Sequence, residues 1–219
     1  MATKRKIDWL NHFLEFIVVI IGILIAFQLN TCSEERKEQK AVALHIQNIL
    51  DESEFNRKNL EAAIQYSDTL LVAMDSLLSE VNGDKDPTTM NRLSLQILSI
   101  NPLYLKKNAY NSLVTSGDVR FINDFDLKND IIQLYEFYRW AEGIDEVTMD
   151  TYQKYYYPYL VEHFDLTQGK EQDIAVYDTK LFKNSVAGYR YTLAMRINQN
   201  KETLRMIETF ISYHQLENQ

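Results

Sequence analysis

The sequence is poor in residues that cross-link or break a chain, with one Cys, three Pro and six Gly among 219 residues. A single Cys cannot form an internal disulfide bond or a multi-cysteine zinc site. A sheet-rich fold needs a turn about every ten residues, and so few Pro and Gly residues cannot supply those turns. The composition therefore predicts a fold of long helices.

Positive charge is also scarce, because 23 Lys and Arg residues stand against 31 Asp and Glu residues, for a net charge of -8. An acidic chain without a compensating basic stripe is repelled by a phosphate backbone, so nucleic-acid binding is not expected. The hydrophobic fraction of 46% and the charged fraction of 25% are ordinary for a globular chain. These values exclude the disordered and low-complexity classes.

Familiar chemical motifs are missing as well. The sequence contains no phosphate-binding glycine loop, dinucleotide fingerprint, nucleophile elbow or paired-histidine metal motif. Its four His residues, at positions 12, 45, 163 and 214, are scattered, and none has another at helical ligand spacing. We therefore expect a non-enzymatic protein without a metal or a cofactor.

What the sequence does contain is one long apolar run near its start. Residues 16–27 carry no polar side chain, and flanking residues extend the run to 13–29. A spanning helix needs about 17 to 25 residues, so the run predicts a transmembrane helix over residues 13–30. A cleaved signal peptide shares the basic start and apolar core, but it needs small residues before its cleavage site, where this chain has Phe27, Gln28 and Leu29.

The charges that flank this run favour one orientation. Three basic residues precede it at positions 4–6, together with the terminal amine. Three more follow it, but they are interleaved with three Glu residues, so the N-terminus is expected inside the cell. The predicted domains are a short cytoplasmic N-terminus (1–12), the transmembrane helix (13–30) and an extracytoplasmic helical bundle (31–219).

One face of the predicted span is small and polar. Glu15, Gly22, Ala26 and Asn30 fall on the same side of a helix. Gly22 and Ala26 allow two helices to approach closely, and a carboxylate within a membrane usually faces a partner or a water-filled site. The face therefore predicts contact with a second copy or with another membrane protein. The alternative is that Glu15 reaches the nearby interface and Gly22 is an isolated small residue.

Two heptad-like repeats follow the span. The first runs through Ala43, Ile46, Leu50, Ser53, Arg57, Leu60, Ile64, Ser67, Leu71, Met74, Leu78 and Val81, and the second through Val186, Arg190, Leu193, Ile197, Asn200, Leu204, Ile207, Ile211 and His214. With two shorter segments between them, they predict an all-α fold of about four helical stretches in an antiparallel bundle. Asn200 either fixes the register of the helices or marks the edge of a partly exposed face.

Turn and cap residues divide the first half of this bundle. The cluster at residues 82–87 ends the first long helix, and Thr88 or Thr89 is expected to cap a short second helix. A helical piece that begins near Lys107 ends at Gly117, which supplies a left-handed cap.

The second half contains one more long helix before the last. Asp124 or Asp126 is expected to cap it, and it ends near Pro158 or continues beyond with a kink. Residues 165–173 are expected to form a loop, and Asp178 is the expected cap of the last helix.

Aromatic residues are concentrated in this second half, where seven of the 14 Tyr residues lie between Tyr135 and Tyr159. Such side chains line pockets and interfaces because they bury a large apolar area and keep a polar tip. The candidate binding surface consists of Tyr135, Tyr138, Trp140, Tyr152, Tyr155, Tyr156 and Tyr159. The alternative is that these side chains pack beneath the preceding connection.

Two short segments carry a family resemblance. The exit of the span reads Asn-Thr-Cys-Ser-Glu over residues 30–34, and residues 109–118 read Ala-Tyr-Asn-Ser-Leu-Val-Thr-Ser-Gly-Asp. They resemble the Asn-Asn-Trp-Asn-Glu exit and the Tyr-x-x-Leu-x-x-Ser-Gly segment of a widespread family of uncharacterised single-pass bacterial membrane proteins, with Cys32 in place of the family's Trp. The resemblance implies a location in the bacterial inner membrane and a helical extracytoplasmic domain, but no reaction.

The second of these segments also suggests a contact loop. Asn111, Ser116 and Asp118 offer polar groups around Gly117, although a tight connection between two helices explains the same residues. Together these features predict a membrane-anchored helical interaction or scaffold protein that self-associates. Its expected partners are the lipid bilayer and a second copy or another membrane protein. The alternatives are a sensor bundle that binds a small molecule and signals through a separate transducer, and a proton-coupled subunit that uses Glu15.

Overall fold

The structure is a computed structural model that describes residues 9–171 and 173–216. Its helices are α1 (Trp9–Asn82), α2 (Pro87–Gln96), α3 (Asn108–Ser116), α4 (Phe125–Thr151), α5 (Tyr157–His163) and α6 (Lys180–Leu216). A π-helical turn (Tyr152–Tyr156) joins α4 to α5, so the described residues form five helical rods. The predicted all-α class is confirmed. The basic residues at positions 4–6 lie outside the described part of the chain.

The long helices α1, α4 and α6 form the centre of the bundle. Helix α6 runs antiparallel to both α1 and α4, because residues later in α6 contact residues earlier in the other two helices. These contacts are Arg190–Asp75 and Arg196–Ser67 between α6 and α1, and Thr192–Thr148 and His214–Asp130 between α6 and α4. The expected four stretches are thus three long rods, with the short helices α2 and α3 lying against α1.

The first predicted repeat is largely buried, but α1 buries a wider face than a two-helix seam. Most apolar repeat positions are buried, whereas Ala43 is exposed and Leu71 and Leu78 are only partly buried. A second row is buried beside the repeat, at Ile49, Asn56, Leu70, Ala73 and Leu77. The wider face arises because α1 packs against α6 on one side and against α2 and α3 on another.

Two apolar clusters fill the bundle. One cluster contains Ile49 of α1, Leu134 of α4 and Phe210 of α6. The other joins Leu77 of α1 to Tyr189 of α6 at the opposite end. Polar residues, which include Asn200, are buried between these two clusters, so the expectation that Asn200 marks a partly exposed edge is wrong.

Several helix ends have the caps expected from the sequence, and two do not. Gly117 adopts a left-handed conformation with φ of 78°, and Asp124 accepts hydrogen bonds from two backbone N–H groups of α4. Helix α2 is capped by Asp86 instead of Thr88 or Thr89, because Pro87 takes the first helical position and leaves the Asp86 side chain to accept from Thr89 N.

The start of α6 is the second difference. Thr179 Oγ1 accepts from Phe182 N at 3.1 Å, so Thr179 is the cap and Asp178 is not. Asp178 instead ends a 3-10 turn (Ile174–Asp178) and pairs with Lys85 and Lys183.

The predicted loop at residues 165–173 contains most of a small hairpin. Its two-residue strands β1 (Phe164–Asp165) and β2 (Lys170–Glu171) pair in antiparallel orientation.

Pro158 does not end the fourth helical rod. A proline ring removes an N–H group and crowds the carbonyl four residues earlier, and the π-helical turn just before Pro158 relieves this conflict. The rod therefore continues to His163, which agrees with the expected continuation beyond Pro158, and the kink expected with it stays a prediction.

The first part of α1 projects from the bundle without packing against any described residue of the other helices. Its side chains from Trp9 to Leu29 are almost all exposed, and the apolar window within this part has none of its residues buried. Among the described residues, α1 is the one helix that is long and apolar enough to cross a membrane. A helix of this kind near the N-terminus suits a membrane anchor or a signal sequence.

Candidate functional site

A buried ion pair lies between the two apolar clusters. Arg196 of α6 is 1% exposed, and its Nε lies 2.6 Å from Asp145 Oδ1 of α4. The two atoms form an ion pair whose geometry is not that of a hydrogen bond. Arg196 also donates from Nη2 to the Asn101 carbonyl at 2.6 Å and from Nη1 to Ser67 Oγ at 3.3 Å. One guanidinium therefore links α1, α4, α6 and the connection that precedes α3.

Burial raises the pKa of Asp145, and the Arg196 charge partly offsets this rise. The other carboxylate oxygen of Asp145 accepts from Leu103 N at 3.2 Å. Both oxygens therefore have partners that hold helices and backbone in place. A perturbed carboxylate is often a sign of catalysis, but the contacts of Asp145 are those of a structural ion pair.

The backbone of residues 97–107, here called the strap, is fastened to the bundle by side chains. The strap connects α2 to α3 without regular structure. Two tyrosine hydroxyls donate to its carbonyls, Tyr152 to Leu98 at 2.7 Å and Tyr66 to Ser99 at 2.6 Å. Asn59 Nδ2 donates to the Tyr104 carbonyl at 3.2 Å. Asn56 donates to the Lys106 carbonyl at 2.9 Å and accepts from Lys106 N at 2.8 Å. An irregular segment can lie against a core when side chains satisfy its backbone in this way.

The start of α3 is held by a carboxylate from another helix. The N-cap residue of α3, Lys107, makes no side-chain capping bond, and Glu52 of α1 instead accepts from Ala109 N at 3.0 Å. Glu52 also accepts a hydrogen bond from the buried Tyr135 hydroxyl, and its negative charge suits a helix N-terminus. Burial, followed by the bond to Glu52, raises the pKa of Tyr135. Glu52 is thus a buried carboxylate with a capping role.

The sequence does not single out Glu52, Asn56 or Arg196, although one kind of signal is present for all three. Residues 49, 52, 53, 56 and 60 follow helical core spacing, and the three in the middle are polar. Polar residues at core positions of α1 indicate that something polar lies against that face, and in the structure this is the strap with the start of α3. The last helix carries a comparable pattern, because residues 189, 193, 196, 200, 203 and 207 follow core spacing and Arg196, Asn200 and Thr203 in the middle are polar.

The seven residues of the candidate binding surface do not share one surface. Tyr135, Tyr138, Tyr156 and Tyr159 are buried, and Tyr152 is partly buried. Trp140 and Tyr155 are more than half exposed. The expectation of a common aromatic surface is therefore wrong for the four buried side chains, because the helices that carry them turn them into the core.

The π-helical turn explains where these aromatic side chains point. An extra residue in a helical turn shifts the faces of the helix on either side of it. After this shift Tyr156 donates to the Ser94 carbonyl and Tyr159 to the Val176 carbonyl, each at 2.7 Å, and Tyr152 binds the strap. The alternative interpretation, aromatic packing beneath the preceding connection, agrees with the contact of Tyr152 alone, because Tyr156 bonds α2 and Tyr159 bonds a later turn.

The loop around Gly117 is joined to α1 by a side-chain hydrogen bond. Asp118 Oδ2 lies 3.0 Å from His45 Nε2, and Asp118 N donates to Ser116 Oγ at 3.3 Å. The hydrogen bonds to Ser116 and then to His45 lower the pKa of Asp118. Asn111 is exposed on α3, away from this contact. The loop is therefore a tight connection fastened to α1, and a further contact role for it stays a prediction.

One cavity brings together residues from two sequence predictions. It has a volume of about 280 Å³ and lies between the start of α3 and α4. It is lined by Lys107, Tyr110, Asn111, Ile132, Tyr135 and Arg139. Asn111 belongs to the predicted contact loop and Tyr135 to the aromatic group, while Tyr110 stacks on Tyr135 with ring centres 4.3 Å apart. The cavity thus presents aromatic and amide groups, and its two cationic residues, Lys107 and Arg139, pair with Glu142 and Glu136.

The predicted contact face of the span is fully open. Glu15, Gly22, Ala26 and Asn30 are all exposed, and a Cβ atom added at Gly22 would meet nothing within 4 Å. Glu15 lies 3.2 Å from His12 Nδ1, and Asn30 donates to Glu34 at 3.1 Å. None of the described residues therefore covers this face, and its role as a contact between molecules stays a prediction.

Residues 9–171 and 173–216 contain no group of three or more His, Cys, Asp or Glu side chains placed to hold a metal ion. Comparisons with protein-family models, with curated proteins and with solved structures return no significant match to the chain. The resemblance to the single-pass bacterial family accordingly stays a prediction. Functional proposals for this chain depend on its own residues.

Proposed function

We propose that this chain is a non-enzymatic, membrane-anchored interaction protein whose helical bundle is held at the bacterial inner membrane by residues 13–30. The observation that carries the proposal is the exposure of the whole apolar part of α1. Exposed apolar surface of this extent is unstable in water and suits a lipid environment. The bundle would lie on the extracytoplasmic side.

The rest of the molecule supports a positioning role. The perturbed Asp145 and the buried Glu52 are both engaged in fastening the strap and α3. A single helix runs from the apolar run to the far end of the bundle without a break, so the bundle is carried directly on the anchor. A domain held in this manner is suited to recruiting a partner at the membrane.

We further propose that two copies associate through the face of Glu15, Gly22, Ala26 and Asn30. Small residues let helix backbones approach closely, and the Glu15 and Asn30 side chains add polar groups that are costly to leave unpaired in lipid. The open space around Gly22 leaves room for a second helix.

Native mass spectrometry of the full chain, gently extracted from its own membrane, tests this association. We expect a homo-oligomer or a stoichiometric protein partner. Gly22→Leu with Ala26→Leu should dissociate a homo-oligomer, because bulk at these positions separates the helices. The matched control, Ile20→Leu with Leu24→Ile, changes the opposite face and should leave it intact. A wild-type monomer without any protein partner would contradict the proposal.

A small-molecule sensor is a second candidate, and the cavity beside α3 favours it. The cavity of about 280 Å³ places two cationic side chains, Lys107 and Arg139, beside the stacked Tyr110 and Tyr135 rings. A sensor of this kind would signal through a separate transducer. A small molecule that co-purifies with the protein and raises its melting temperature, with a weaker effect in the Asn111→Ala variant, would favour the sensor.

A further inference from the structure

The segment of α1 between the apolar run and the bundle, residues 31–41, carries its charges on two opposite faces. We call this segment the stalk. Acidic and basic residues are interleaved along its sequence. Viewed down the helix axis, however, the two kinds occupy separate sectors of the helix, each about 100° wide, on opposite sides. The basic face consists of Arg36, Lys37 and Lys40, and the acidic face consists of Glu34, Glu35 and Glu38.

The basic face continues directly from the apolar run. Leu29, Cys32, Ser33, Arg36, Lys37 and Lys40 line one shallow depression along the helix. Positions 36 to 40 lie about 9 to 15 Å beyond residue 30, at 1.5 Å per helical residue. A headgroup layer is about 5 to 8 Å thick per leaflet, and its charge acts over about 8 Å more at physiological salt. The three cations therefore lie within reach of the headgroups.

The cations of the basic face have no partner within the described chain. None of the ion pairs formed by residues 9–171 and 173–216 includes Arg36, Lys37 or Lys40. Arg36 and Lys40 are four residues apart and repel each other, which weakens the helix. In the bundle, by contrast, Arg57 pairs with Glu54 and Glu61 on its own helix. The stalk charges are thus arranged for a partner outside the chain.

We infer that the basic face binds the headgroups of anionic phospholipids in the leaflet from which α1 leaves the membrane. Each Lys or Arg near an anionic surface adds attraction, and three on one face incline the stalk toward that leaflet. The acidic face then points away from the lipid. This inference rests on the proposed anchor in residues 13–30.

The single cysteine provides the test, because Cys32 lies on the edge of the basic face. The full chain, labelled at Cys32 with an environment-sensitive NBD fluorophore, is reconstituted into phosphatidylcholine vesicles with or without about 30 mol% phosphatidylglycerol. We expect the emission to move to shorter wavelengths when phosphatidylglycerol is present. About 0.5 M NaCl should reverse the shift, because it shortens the range of the charge interaction.

Two variants locate the effect on one face. Arg36→Gln with Lys37→Gln and Lys40→Gln should abolish the shift, whereas Glu34→Gln with Glu35→Gln and Glu38→Gln should keep it. A chain that floats with both kinds of vesicle but shows the same emission in each would overturn this inference alone. Loss of the shift in the acidic-face variant would also overturn it. A chain that floats with neither kind of vesicle would overturn the proposed anchor as well.

Discussion

Helix α1 contains two regions with opposite environments. From Trp9 to Leu29 almost all of its large apolar side chains are exposed, and beyond Val42 most of them are buried or partly buried against α6, α2 and α3. Leu24 is 60% exposed and Leu60 is fully buried, although both are leucines of the same continuous helix. Backbone propensity alone cannot produce this contrast, since both regions are equally helical.

The difference shows that burial within the chain stabilises only one of the two regions. The packed region is stabilised by burial within the chain, at about 25 cal/mol for each Å² of apolar surface removed from water. The projecting region has no such burial within the described residues, and the proposed anchor would supply lipid to cover it. Stability measured in solution should therefore reside in the bundle and be independent of residues before the stalk.

Loss of the buried cation should have the largest effect. Arg196→Ala leaves Asp145 buried without its partner, so we expect the free energy of unfolding to fall by about 3–5 kcal/mol. The matched control Arg205→Ala removes an exposed cation that pairs with Glu202 on the same helix, and it should cost about 0.5 kcal/mol or less. Urea unfolding followed by circular dichroism measures both. Equal losses, or a different loss in a fragment of residues 34–219, would contradict the assignment of stability to the bundle.

The two leucines of α1 give the next largest contrast. Leu60→Ala should lower the free energy of unfolding by about 2–5 kcal/mol, because it opens a cavity in the core. Leu24→Ala should leave the unfolding of the detergent-solubilised chain unchanged. Thermal unfolding of both variants side by side provides the comparison, and a destabilised Leu24→Ala bundle would show that the projecting region packs against the bundle after all.

Adjacent tyrosines in the π-helical turn separate core from surface. Tyr156→Phe removes the hydroxyl that donates to the Ser94 carbonyl, and we expect a loss of about 1–2 kcal/mol. Tyr155→Phe alters an exposed side chain and should have almost no effect. Chemical denaturation distinguishes the two variants. A larger effect at Tyr155 would instead place a functional or structural contact on the exposed side of this turn.

The smallest expected effect depends on pH. Hydrogen bonds from Lys85 and then Lys183 lower the pKa of Asp178 below its unfolded value of about 3.9. The stability that Asp178 contributes to the folded protein is therefore fully present above the unfolded pKa. It is lost as the pH falls through the lower pKa of the folded state. Asp178→Asn should melt slightly below the wild type at pH 7, and the two melting curves should converge at acid pH. A gap that persists below about pH 2 would contradict this explanation.

The sequence predicted the parts of the fold that depend on local signals. The helices, the left-handed cap at Gly117 and the cap at Asp124 follow from spacing and from residue chemistry within a few positions. Pro158 marked the place of the π-helical turn, but the carbonyls that the Tyr152 and Tyr156 hydroxyls bind across the bundle were not predictable from local sequence.

The candidate site was harder to predict for the same reason. Glu52 caps a helix 57 residues further along the chain, and Arg196 binds a carbonyl 95 residues before it. Such contacts depend on the relative placement of whole helices, which no local pattern contains. The aromatic group was visible in the sequence, but whether its side chains point inward depends on packing against α1, α2 and the strap.

Carbonate extraction of native membranes, followed by intact-mass analysis of the protein, tests the central claim most directly. A chain anchored by residues 13–30 resists extraction, and its mass includes those residues. We predict that the protein stays in the membrane pellet with the apolar run attached. A soluble protein whose mass begins after residue 30 would contradict the anchor, because the run would then be a cleaved signal sequence.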